Sequence, residues 1–173
     1  WFCAAEKALL WPACTSLGAC WEWMHHLCTY DIDEPLELEE STLNIAIMAQ
    51  DKKKELMIQF CIAYKGILAK HNLSATNTTG RLVAEATGLP ITLYLSRAQG
   101  GQQQVGARIA YNEVDLLLFF TNPTCNDPVQ EQNLLQIERL CDMHNVPYAT
   151  NLATAEMLIL GLARGDLDWR EGS

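Results

Sequence analysis

The sequence predicts an α/β protein: one parallel sheet of five strands with helices covering both faces. Two observations carry this. From Leu43 onward, short apolar runs alternate with amphipathic segments, the pattern of a parallel sheet whose strands are buried on both sides. The polar, chemically versatile residues then fall at the ends of the apolar runs, where ligands bind in sheets of this kind.

Leu43–Ala49 (LNIAIMA) is the first predicted strand. Lys53–His71 reads as a helix, with Leu56, Phe60, Ile67 and Leu68 at helical spacing. Leu73–Thr76 is the second strand, followed by a Thr/Gly turn and a helix over Arg81–Thr87. Pro90–Leu95 is the third strand, and Gln103–Tyr111 the next helix. Val114–Phe120 (VDLLLFF) is the most strand-like run, and Gln130–His144 is a long helix with Leu134, Leu135, Ile137, Leu140 and Cys141 on one face. Val146–Thr150 is the fifth strand and Ala153–Arg164 the closing helix. The polar turns are expected at one end of the sheet, with Thr78 and Gln102 on a common side.

Residues 43–173 therefore form the one main domain, and two other segments precede it. Residues 1–28 hold four of the five tryptophans and four of the seven cysteines, a composition that suits a docking segment or a poorly ordered tail. The uncharged run there, Ala8–Trp21, is broken by Pro12 and too short for a membrane span, and it makes a poor export signal. Residues 29–42 carry six acids and no base, and read as an acidic linker. His25, His26 and Cys28 match no tetrahedral ligand set and no Cys-x-x-Cys pair occurs, so no metal and no cofactor is expected. Free thiols such as Cys61 and Cys141 suit a reduced, cytoplasmic protein.

The net charge of −9 argues against a nucleic-acid partner, since there is no surplus of Lys and Arg to neutralise phosphates. Residues 43–173 hold 11 bases and 13 acids, so a small anion is electrostatically acceptable to this domain. The strand ends offer what an anion needs. Lys52, Lys53 and Lys54 follow the first strand, and Thr76, Asn77, Thr78 and Thr79 the second. Ser96 and Arg97 follow the third, and Thr121 and Asn122 the fourth. Hydroxyls and free backbone N–H groups at a helix start cradle phosphate, and a lysine adds charge. Threonine turns also serve as plain helix caps, and a lysine run as a solvated first turn.

These turns, in this order, resemble the methylglyoxal synthase family over Leu43–Trp169. The likeness is strongest in ATNTTG (Ala75–Gly80), GGQQQVGARI (Gly100–Ile109) and VPYATNLATAEMLI (Val146–Ile159). It implies a three-layer, doubly wound, five-stranded fold and a homohexamer. It also implies conversion of dihydroxyacetone phosphate to methylglyoxal and phosphate, through proton abstraction by an aspartate. The same fold serves as a non-catalytic effector-binding domain in carbamoyl-phosphate synthetases. By resemblance, Lys54, Thr76, Thr78, Thr79 and Ser96 face phosphate and are retained, as is Asp51 beside them. Asn77 and Arg97 replace two glycines at the phosphate. The catalytic aspartate of the family's Gly-Gly-Asp-Gln-Gln motif is Gln102, the histidine before the retained aspartate is Gln50, and the aspartate of its Phe-Phe-x-Asp-Pro motif is Asn122. The family's pocket histidine has no match in Thr124–Gln130.

Glutamine has no protonation step near neutral pH and cannot act as a general base. Two readings follow. One is a binding protein for phosphate or a small phosphorylated metabolite, catalytically impaired, with the N-terminal segment as a means of regulating a partner. The other is an active synthase in which Asp51 serves as substitute base.

Overall fold

The structure, a computed structural model, describes residues 42–124 and 127–167. The expectations for residues 1–28, and for 29–42 apart from Thr42, lie outside the described residues. Five strands form one parallel sheet in the order β3-β2-β1-β4-β5. They are β1 (Asn44–Ala49), β2 (Asn72–Thr76), β3 (Ile91–Tyr94), β4 (Leu116–Phe120) and β5 (Tyr148–Ala149). Six helices connect or follow them: α1 (Lys54–Ala63), α2 (Lys65–Leu68), α3 (Asn77–Thr87), α4 (Gly101–Ala110), α5 (Pro128–Met143) and α6 (Leu152–Ala163).

Side chains alternate between faces along a strand, so a continuous apolar run supplies two cores at once. Ile45 and Ile47 of β1 and Leu116, Leu118 and Phe120 of β4 point to one side, where Met57, Phe60 and Cys61 of α1, Val83 of α3 and Ile159 of α6 cover them. Ala46 and Met48, with Leu117 and Phe119, point to the other, against Val105 and Ile109 of α4 and Ile137 and Cys141 of α5. The three-layer, doubly wound architecture implied by the resemblance is the one observed.

Three of the expected elements and one expected placement need correction. The helix expected over Lys53–His71 breaks at Tyr64, which leaves helical geometry at φ −104°, ψ 19°, before the short α2 resumes. The helix expected from Arg81 begins at Asn77, because the Thr/Gly turn is itself the first turn of α3. Asn, Thr and Gly are weak helix formers, and contacts with the sheet override that preference. Gly80 makes the approach possible: a Cβ there would lie 2.5 Å from Leu93 Cδ2 and 3.0 Å from Ala75 Cβ. The fifth strand shortens to two residues, since Pro147 has no N–H to donate, although its carbonyl accepts from Leu117 N at 3.0 Å. Finally, Thr78 and Gln102 do not share a side. Their helices, α3 and α4, pack on opposite faces, as double winding requires, and what they share is the carboxyl edge of the sheet.

Candidate functional site

All the polar turns follow the carboxyl ends of parallel strands, so they gather along one edge. Beyond β1, Gln50 is buried and joins the two central strands. Its backbone N–H donates to Phe120 O at 3.0 Å, and its side-chain oxygen accepts from Asn122 N at 2.6 Å. Gln50 thus acts as a strap between the ends of β1 and β4. Asn122 Oδ1 accepts from Thr124 Oγ1 at 3.1 Å.

Asp51 opens a single 3₁₀ turn and meets two cations. Its Oδ1 lies 2.7 Å from Lys54 Nζ, and its Oδ2 lies 3.1 Å from Arg97 Nη2. The Lys54 hydrogen bond first, and the charge of Arg97 after it, hold the Asp51 carboxyl below the usual carboxylate range. Arg97 belongs to the turn after β3, yet it does not point idly to solvent. Its Nη1 donates to Gln130 Oε1 of α5 at 3.1 Å, and Gln130 Nε2 donates to Asp127 Oδ2 at 2.7 Å. Asp127 is the N-cap of α5, accepting from Val129 N at 3.0 Å. A polar chain therefore runs Lys54–Asp51–Arg97–Gln130–Asp127 across the edge. Beside it lies a cavity of about 470 Å³ whose lining includes Gln50, Asp51, Lys52, Asn122, Asp127 and Gln130.

The second turn is the start of α3. Thr76 and Thr79 are buried, with their hydroxyls 3.4 Å apart, while Asn77 is half-buried and Thr78 exposed. No side chain caps this helix. Asn77 N–H donates to Leu95 O at 3.4 Å, which leaves the next amides of the first turn without intrahelical acceptors, the usual provision for an anion.

In the third turn, Ser96 Oγ donates to Gln99 Oε1 at 2.8 Å and so makes its contact within its own loop. Gly100 takes a left-handed conformation, φ 91°, which glycine adopts at no steric cost. Gly101 admits no side chain at all: a Cβ would stand 2.1 Å from Leu95 O. Gln102 follows it and is 5% exposed. Its side chain has no hydrogen-bond partner among the described residues, and it lines a groove of about 300 Å³ between α4 and α5, with Gly106, Asn133, Gln136, Ile137 and Leu140.

The structure thus brings together Asp51, Lys54 and Arg97, joins Gln50 to Asn122, and sets Thr76 against Thr79. Among the described residues, Ser96 and Gln102 make no side-chain hydrogen bond or ion pair with these groups. Two participants, Asp127 and Gln130, were not foreseen as site residues. The Asp-Pro pair that starts α5 is a readable N-cap signal for the first, and nothing in the sequence marks the second. Among the described residues no cluster of His, Cys, Asp and Glu could hold a metal ion.

The family model for the MGS-like domain matches residues 57–150. A methylglyoxal synthase of Caldicellulosiruptor saccharolyticus is 57% identical over 129 residues, covering 75% of this chain and 91% of the relative. A methylglyoxal synthase of Thermoanaerobacterium thermosaccharolyticum is 52% identical over 128 residues, covering 74% and 95%. The crystal structure of methylglyoxal synthase from Elizabethkingia anophelis superposes with a TM-score of 0.62 at 35% identity, covering 68% of this chain and 77% of that one.

Proposed function

The chain belongs to the methylglyoxal synthase family, and from that premise we propose that it binds phosphate or a small phosphorylated metabolite with its turnover impaired. One observation carries this reading. At the carboxyl edge the family's hydroxyls remain at the uncapped start of α3 and its lysine remains at the end of β1, while Asp51, the acid retained from the family's pattern, is held ionised by Lys54 and Arg97. A general base works best with a pKa near the operating pH, and a carboxylate stabilised below its usual range is a weak one. That counts against Asp51 as substitute base in an active synthase converting dihydroxyacetone phosphate. Gln102, Gln50 and Asn122 hold amides where the family carries an aspartate, a histidine and an aspartate, and none of them can take up a proton.

On this reading, phosphate sits against Lys54, Thr76, Asn77, Thr78, Thr79, Ser96 and Arg97. The protein assembles as a homo-oligomer, a hexamer by family resemblance. The edge strand β3 suits burial in such an assembly, since Leu93 and the adjoining Leu95 are 41% and 49% exposed. A cytoplasmic location accords with Cys61 and Cys141 standing outside any disulfide. Among the described residues no helix is long and apolar enough to cross a membrane.

Calorimetry with inorganic phosphate, paired with an assay of methylglyoxal formation from dihydroxyacetone phosphate, tests the proposal. Phosphate should bind in the micromolar to millimolar range and turnover should be absent or very slow. Absence of phosphate binding at millimolar concentration in a folded sample, or substantial synthase activity, would overturn it.

A further inference from the structure

Arg97 stands after β3, yet its guanidinium serves residues two strands away. In sheet order β2 separates β3 from β1, so the side chain crosses roughly 10 Å of the edge to reach Asp51. Both of its partners, Asp51 and Gln130, line the 470 Å³ cavity, so the guanidinium lies one hydrogen bond from the cavity wall. The two ends of the fork are unequally occupied. Nη2 meets one oxygen of a carboxylate whose other oxygen Lys54 holds, so this cation pair already binds one carboxylate, an oxygen to each cation. Nη1 meets only the neutral amide oxygen of Gln130. Replacing a neutral acceptor by an anionic one makes a hydrogen bond roughly twice as strong, and the planar fork favours a carboxylate or phosphate there. Two acids, Asp51 and Asp127, also face the cavity. Each is already engaged, Asp51 by two cations and Asp127 by Val129 N and Gln130, and Lys52 lines the same wall.

We propose that Arg97 reads a carboxylate, so that the preferred ligand is a compact phosphorylated carboxylic acid rather than a triose phosphate, which has no carboxylate. This rests on the anion-binding reading above and adds the second charged group of the ligand. The phosphate lies toward Lys54 and the α3 start, and the carboxylate takes the place of Gln130 on Nη1.

The test is calorimetry on the full chain with two probes that share a three-carbon skeleton, 3-phosphoglycerate and glycerol 3-phosphate, in the wild type and in Arg97→Gln. The acid should bind about tenfold more tightly than the ester without a carboxylate in the wild type, the gain of one charge-assisted contact. In Arg97→Gln that ratio should fall to within about threefold. Equal affinities in the wild type would overturn the proposal, as would a variant that weakens both probes alike and preserves the ratio, since Arg97 would then contribute only diffuse charge. If inorganic phosphate binds and the acid shows no preference, this inference alone falls. If no probe and no phosphate binds the folded wild type, the anion site falls with it.

Discussion

Gly101→Ala tests the geometry that delivers the third turn to the carboxyl edge. The added Cβ would begin 2.1 Å from Leu95 O and 3.0 Å from Ser96 O, where real Cβ atoms essentially never come closer than 3.0 Å. The obstacle is backbone, so no rotamer change relieves it. The strand end and the start of α4 must separate by nearly an ångström. They are tied by Gly101 N to Ser96 O at 2.9 Å and Leu95 N to Gln104 Oε1 at 3.0 Å, so the separation breaks or stretches both bonds. Overpacking costs about 1–3 kcal/mol and a lost hydrogen bond about 1 kcal/mol, so the sum is roughly 2–4 kcal/mol. For a chain of this size that lowers the melting temperature by about 5–15 °C. Gly66→Ala is the internal control: it lies in α2 with nothing within 4 Å of the new Cβ. Removing a glycine from a helix there should stabilise by about 0.5–1 kcal/mol. Thermal unfolding followed by circular dichroism reads both. If Gly101→Ala melts within about 2 °C of wild type, the backbone approach reasoned from Leu95 is wrong.

Three further outcomes are expected. Gln102→Asp should restore some methylglyoxal formation, and adding Gln50→His and Asn122→Asp should raise it more than additively, because groups that act as a unit are non-additive; no activity in any combination would count against the base position. Asp51 has a folded pKa below its ordinary 3.8, so its stabilising contribution is present above that value and is lost as pH falls through the lowered one. Urea midpoints at about pH 7 and about pH 3 should therefore lie slightly closer together in Asp51→Asn than in wild type, only slightly because the pair is largely exposed, and a wider gap would contradict the sign. Light scattering at micromolar concentration should report a homo-oligomer, and a clean monomer would refute that expectation.

The strands were legible because burial on both faces leaves no polar position to confuse the pattern, as in Leu116–Phe120. Where tertiary contacts override local preference, the sequence misleads. Asn77–Gly80 looks like a turn and is helix, because Gly80 lets α3 settle on β2 and β3. Pro147 truncates a strand whose apolar residues promise more. The site was legible as a set of turns, since polar residues after apolar runs mark strand ends. Its connectivity was not, because Arg97 and Asp51 lie 46 positions apart and Arg97 and Gln130 lie 33 apart, and no local pattern encodes such pairings. Nor does the sequence reveal that Gln102 lines the groove between α4 and α5.

The strap formed by Gln50 has a consequence for how the pocket responds to acidity. Its oxygen receives the Asn122 amide whatever the pH, because a primary amide does not titrate in water. A histidine in its place, as the family carries, could accept that N–H only in its neutral form and with the proton confined to the opposite ring nitrogen, and acidification would convert the acceptor into a donor facing a donor. With glutamine, the joint between the two central strands is acid-proof. Mild acidification therefore leaves this one joint between β1 and β4 unchanged.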